Sequence, residues 1–287
     1  MPTGRGDTLR NDRTRLRIHA DDTIVEVDPG LGAGVLAFRV SGHDVLRPCP
    51  GTPDDPRLQS MFVMSPWVNR IDGGRFFAGD RFVSLRPNLA GEPHPIHGQA
   101  WQAPWEVTEH ADDRMTARFQ GGSDDWPWPY TIEHHLAVEP GRLDCRLSLV
   151  NRGDSPMPAG IGFHPYFERP ARLTATVDGA FESGADGLPR RWEPRAPFRS
   201  TDIDGITTDD SYTGWDGRAV VELPSVRVDM SSSCDLLHIY SPRGRSFFCA
   251  EPVSAAPDAV NHDERGLRTV DPGAALSVTL RLTVRLR

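Results

Sequence analysis

Over much of the chain apolar and polar side chains alternate with the two-residue period of a β-strand, and Gly and Pro punctuate the alternation. The alternating segments are residues 14–19, 23–27, 35–40, 115–119, 130–138, 142–150, 172–177, 219–223, 236–240 and 275–287. The last sets Leu276, Val278, Leu280, Leu282, Val284 and Leu286 on one face and mostly polar residues on the other, as a half-buried antiparallel strand requires. No stretch of ten or more residues carries a convincing helical period. The 27 Gly and 26 Pro are dispersed as turn markers and build no low-complexity tract. Strands recur without a composition break or a fixed repeat, so one all-β domain over residues 1–287, a sandwich or barrel, is expected. Residues 1–13 are expected to be flexible.

Composition narrows the chemistry. All 32 basic residues are Arg, because the chain has no Lys. Schiff-base catalysis, pyridoxal phosphate attachment and the P-loop all need that amine and are excluded. With 40 acidic residues the net charge is −8, which argues against a nucleic-acid partner. Cys49, Cys145, Cys234 and Cys249 form no C-x-x-C pair, so neither a zinc ribbon nor a disulfide framework is indicated. The first seventeen residues lack an apolar signal core, and no apolar run approaches the ~18–20 residues that span a bilayer. A reduced, cytoplasmic protein without a membrane partner is the expectation, as monomer or homodimer.

Six segments concentrate ionisable groups beside Gly, Pro and aromatics: 67–76, 94–98, 126–130, 160–167, 209–215 and 249–252. A sugar pocket needs this mixture, aromatic faces for the C–H surface of the ring and charged or amide groups for its hydroxyls. His164, between Phe163 and Pro165, reads as an enclosed imidazole able to serve as general acid or base, or as a core histidine bonded to a backbone carbonyl. Glu251 follows the strand-like residues 246–250, and Pro252 is expected to stop that strand and hold the carboxylate at its end. There it needs a partner or a raised pKa, unless it is a surface residue. Arg70, before a Gly pair, could hold paired hydroxyls or be an ordinary surface charge. His97 could donate to a sugar oxygen or cap its turn, and Asp209 and Asp210 could bind sugar or only form a turn.

A metal is not expected. His94 and His97 lie in a Pro-broken loop that cannot give helical H-E-x-x-H geometry, and His134 and His135 point to opposite faces of a strand. Trp126, Trp128 and Trp215 are candidate stacking platforms, while Trp101 and Trp105 fit pocket or core equally.

The order of these motifs, N-R-I-x-x-G-R-F, H-G, G-x-H-P-Y-F, D-D-x-Y-T-G-W and E-P-x-x-x-x-P-D-A-x-N, resembles the aldose 1-epimerase (galactose mutarotase-like) family across residues 69–261. That resemblance implies a large antiparallel β-sandwich that interconverts the α and β anomers of a monosaccharide without a cofactor or metal. It implies His164 as general acid, Glu251 as general base, and Arg70, His97 and Asp209 as sugar-binding residues, with Asp209 preferred over Asp210 because it lies three residues before Tyr212. The chain departs from the family's N-x-L-H-G-G segment, carrying Gln99 where the second Gly stands and His94 in the approach. Three other activities remain compatible with the motifs: a hexose-6-phosphate 1-epimerase, a non-catalytic carbohydrate-binding sandwich, and a glycosidase using Asp209 and Glu251.

Overall fold

The computed structural model describes residues 15–123 and 126–287, so the flexibility expected of residues 1–13, and residue 14 of the first alternating segment, lie outside the described residues. The alternating segments form strands near their expected places. These are Leu16–Ala20, Thr23–Asp28, Gly34–Val40, Arg114–Ser123, Trp126–Glu139, Arg142–Asn151, Arg172–Ala175, Arg218–Glu222, Leu236–Ser241 and Ala275–Leu286. On the last, Val278 to Val284 are buried at every second residue as the pattern requires, but Leu286 is exposed because the strand runs past the core.

Several strands escape the alternation test for a physical reason. Met61–Met64 and Gly162–Glu168 are buried on both faces, so no polar residue marks an outward position. Phe247–Val253 behaves likewise and corrects one expectation: Pro252 does not stop it. Pro252 pairs with Leu237 inside the strand and pairing continues to Val253, since a single missing donor leaves the flanking ladder positions intact. Glu251 therefore sits within a strand rather than at its end.

Among the described residues, two large antiparallel sheets make the fold. The first has eleven strands, with Met61–Met64, Gly162–Glu168, Phe247–Val253, Leu236–Ser241 and Thr208–Thr213 adjacent at its centre. The second has nine, with Ala275–Leu286, Arg142–Asn151 and Trp126–Glu139 side by side. One apolar cluster joins them, drawing Phe38, Val63, Phe163 and Ile239 from the first and Leu136, Leu147, Leu280 and Leu282 from the second. A smaller cluster, with Phe62, Tyr166, Cys249, Ile96 and Trp101, includes residues of the first sheet and of the segment between 65 and 105. Successive side chains on a strand point to opposite faces. Thus Val63 and Phe163 enter the sandwich core while Phe62 and His164 belong to the other face.

Candidate active site

The centre of the first sheet carries one rung of side chains across five strands. Phe62 pairs with His164, His238 with Glu251 and Ser211 with His238. The pairs Gly162 with Val253 and Tyr166 with Cys249 put His164 level with Glu251. Residues 62, 164, 251, 238 and 211, scattered over some 190 positions of sequence, thereby line up in space. They open into one cavity whose walls include Phe62, Arg70, His97, His164, Asp209, His238 and Glu251. All five residues expected to form a site line this one cavity.

The imidazole of His164 stacks between Phe62, at 4.2 Å, and Tyr166, at 4.8 Å between ring centroids, which fixes its plane. Its Nε2 lies 3.2 Å from Glu251 Oε1, close but without hydrogen-bond alignment. Both Glu251 oxygens and His164 Nδ1 are buried without a hydrogen-bond partner, although Glu251 is only 1% exposed. Burial pushes the Glu251 carboxyl up to about 8, against the opposing charge of His238. Burial, with the charge of His238, holds His164 well below the ordinary histidine value. Near neutral pH the pair is therefore a neutral carboxyl facing a neutral imidazole.

His238 is the counterweight. Its Nε2 bonds Asp209 Oδ1 at 2.8 Å and its Nδ1 bonds Ser211 Oγ at 2.8 Å, while it is 2% exposed. Burial lowers its pKa, but Glu251 and Asp209 outweigh that and raise it. Burial likewise opposes the charge on Asp209, and the bond from His238 with the charges of His238 and Arg70 holds this carboxyl below the usual range. Asp210 faces elsewhere, accepting from Ser183 N at 2.8 Å and Thr208 Oγ1 at 2.7 Å, so both acidic residues lie on the strand Thr208–Thr213 rather than in a turn.

Arg70 and His97 come from the loops above the sheet, which hold each other by main-chain bonds: His97 N donates to Asn69 O and Ser65 N to His97 O. His97 has a left-handed backbone, φ 60°, and Gly98 follows at φ 79°, where a side chain would run into the Ser65 carbonyl. Its ring packs edge-on against Phe62, Trp101 and His164. Burial, then the charge of His164, keeps His97 well below the ordinary histidine value and so neutral. Arg70 is ringed by Glu92 at 3.0 Å, Asn69 at 3.3 Å and Asp209 at 3.6 Å. Burial opposes its charge, and its bond to Glu92 together with the charges of Asp209 and Glu92 more than compensates.

The tryptophan expectation is corrected. Trp126, Trp128 and Trp215 are buried in the sandwich core, where Trp126 packs on Trp67 and Phe76, and none lines the cavity. Their alternation with Pro and Gly marks strand and turn geometry, not a stacking surface. Trp105 also belongs to that core, whereas Trp101 forms part of the cavity wall. His94 is not part of the cavity wall and accepts from Gly73 N at 2.9 Å, and Gln99 accepts from Tyr130. His134 and His135 do face opposite ways, the first fully buried.

His238 and Glu92 are among the cavity residues that the motifs did not single out, as are Arg57, Phe62 and Tyr240. A histidine at the centre of an apolar strand, on the face away from Leu237 and Ile239, was the available signal for the first. Glu92 sits in a loop with no periodic mark. His164, Cys249 and Glu251 also bring a ligand atom each within 4.8 Å of one another, so these described residues could hold a cation, an arrangement that loop and strand spacing did not suggest. No helix among the described residues is long and apolar enough to cross a membrane.

The two-sheet antiparallel sandwich, taken with the family match over most of the chain, marks a carbohydrate-epimerase type of protein. The aldose 1-epimerase family model matches residues 16–283, and the chain belongs to that family. It is 27% identical over 244 residues to the uncharacterised protein YphB of Escherichia coli (strain K12), covering 78% of this chain and 83% of that one. Its fold is similar to that of a galactose mutarotase-like protein from Clostridium acetobutylicum, with TM-score 0.83 and 20% identity over 95% of each chain. It is also similar to galactose 1-epimerase from Lactobacillus acidophilus NCFM, with TM-score 0.78 and 14% identity over 95% of this chain and 94% of that one.

Proposed function

We propose that the protein is an aldose 1-epimerase that interconverts α and β anomers by acid–base ring opening and closure. One observation carries this. A buried carboxyl and a buried imidazole, 3.2 Å apart and with unpartnered polar atoms, face one polar cavity that can take a monosaccharide. Buried polar atoms without partners are costly, and a bound sugar would supply the missing bonds.

The pair carries one proton, which resides on Glu251 near neutral pH. Moving it to His164 gives the working form, a carboxylate and an imidazolium, with the positive charge of His238 favouring the carboxylate. Glu251 then takes the proton of the C1 hydroxyl as the bond from C1 to the ring oxygen breaks and His164 protonates that oxygen. The open aldehyde rotates about C1–C2 and the steps reverse on the other face. Each proton transfer contributes ~10²–10⁴-fold. Arg70, His97 and Asp209 hold the remaining hydroxyls, the charged groups through the stronger, charge-assisted bonds.

The test is anomer exchange of freshly dissolved α-glucose and α-galactose, followed by polarimetry or NMR. Exchange faster than buffer that is lost in Glu251→Gln and in His164→Asn supports the assignment. Saturable sugar binding with exchange no faster than buffer refutes it and leaves a carbohydrate-binding protein.

A further inference from the structure

Among the described residues two arginines line the cavity, and the guanidinium fork of each already grips a carboxylate. Arg57 grips Asp55, with Nε at 3.0 Å and Nη2 at 2.6 Å. Arg70 grips Glu92, with Nε at 3.0 Å from Oε2 and Nη2 at 3.2 Å from Oε1. The other edge of Arg70 meets Asn69 and Asp209, and Gly187 presses on it so closely that a Cβ there would lie 2.4 Å from Nη1. The fork taken by Glu92 is the planar, two-pronged donor set that binds phosphate most strongly. Glu92 is 26% exposed at its side chain against 14% for Arg70, so it stands on the solvent side of the arginine. A sugar seated with C1 at His164 and Glu251 shares the cavity with Arg70 and Glu92, which line the same walls.

We propose that Glu92 sets the charge selectivity of the cavity: by occupying the Arg70 fork and placing a negative charge beside it, Glu92 admits uncharged aldoses and rejects sugars carrying a phosphate away from C1. The inference rests on the sugar-pocket reading above but not on catalysis, since it concerns binding. Removing the carboxylate unmasks a buried-side guanidinium. Charge-assisted bonds of this kind are worth about tenfold to a hundredfold in affinity. The gain should shrink with added salt, because the site lies near solvent.

The experiment compares wild type, Glu92→Gln and Glu92→Ala with glucose and glucose 6-phosphate, and with the galactose pair. Binding is measured by calorimetry and anomer exchange by NMR, with melting curves to verify folding. In the wild type the phosphate ester should bind at least tenfold more weakly than the free sugar. Glu92→Ala should shift that ratio toward the ester by tenfold or more, mainly through KM, and Glu92→Gln by less, since its amide oxygen still accepts one bond from Arg70. Equal binding of ester and free sugar by the wild type, or an unchanged ratio in both folded variants, overturns the proposal. A shifted binding ratio without any anomer exchange would uphold the role of Glu92 and refute the epimerase instead.

Discussion

Glu251→Gln separates the cost of the buried carboxyl from its use. The substitution keeps shape and removes the titratable proton. In the fold this carboxyl titrates at about 8, against 4.5 for an ordinary glutamate. The folded state thus holds the proton more tightly than the unfolded chain. The stability this group contributes is complete below 4.5, falls as pH rises, and is gone above 8. Relative to a side chain that does not titrate, linkage makes the wild type weaker by ~1 kcal/mol at pH 5, ~3 at pH 7 and ~5 at pH 9. At roughly 2 °C per kcal/mol for a chain of this size, Glu251→Gln should melt ~2 °C above the wild type at pH 5 and ~10 °C above it at pH 9. Differential scanning calorimetry across that range reads the trend directly, while polarimetry should find anomer exchange reduced by ~10²-fold or more. A melting difference that does not grow with pH, or a wild type more stable than the variant at pH 9, would refute the account of Glu251 as a desolvated, unpartnered acid.

The same pair predicts the pH profile of kcat/KM. The competent state carries one proton on the pair, so activity should be level from well below pH 6.5 to about 8 and fall above it, where that proton is lost. A profile that climbs through pH 8 would show that a fully deprotonated pair is active. Gly187→Ala should raise KM several-fold with the fold intact, because φ is +74° there and the new methyl displaces the Arg70 guanidinium; unaltered KM would sink the role given to that contact. Asp209→Asn should weaken sugar binding far more than Asp210→Asn, and equal effects in titration calorimetry would contradict the orientation of the two carboxylates. Trp126→Ala should cost ~3–5 kcal/mol of stability in denaturant melts while sparing kcat, which a sugar-stacking tryptophan would not.

Where one face of a strand meets solvent, the sequence displays it. The half-exposed strands Trp126–Glu139, Arg142–Asn151 and Ala275–Leu286 were legible because burial alternates along them with the two-residue period. The centre of the other sheet was opaque to that test, since Met61–Met64 and Gly162–Glu168 have no outward polar face. His164, Glu251, Arg70, His97 and Asp209 could be picked out by residue type and by motif order. Their convergence could not, nor could the partnership of His238 with Asp209 or of Glu92 with Arg70, because these contacts join residues 29 and 22 positions apart through a sheet register and a loop path that no local pattern encodes.

The chain by itself determined that the protein is built of strands, that lysine-dependent chemistry is closed to it, and which few side chains are candidates for moving protons. Tertiary structure decided which of them meet, that burial raises the Glu251 carboxyl and depresses the His164 and His97 imidazoles, and which aromatics belong to the core. The division has a physical cause: hydrophobic period is a property of neighbours along the backbone, whereas register, desolvation and charge pairing are properties of neighbours in space.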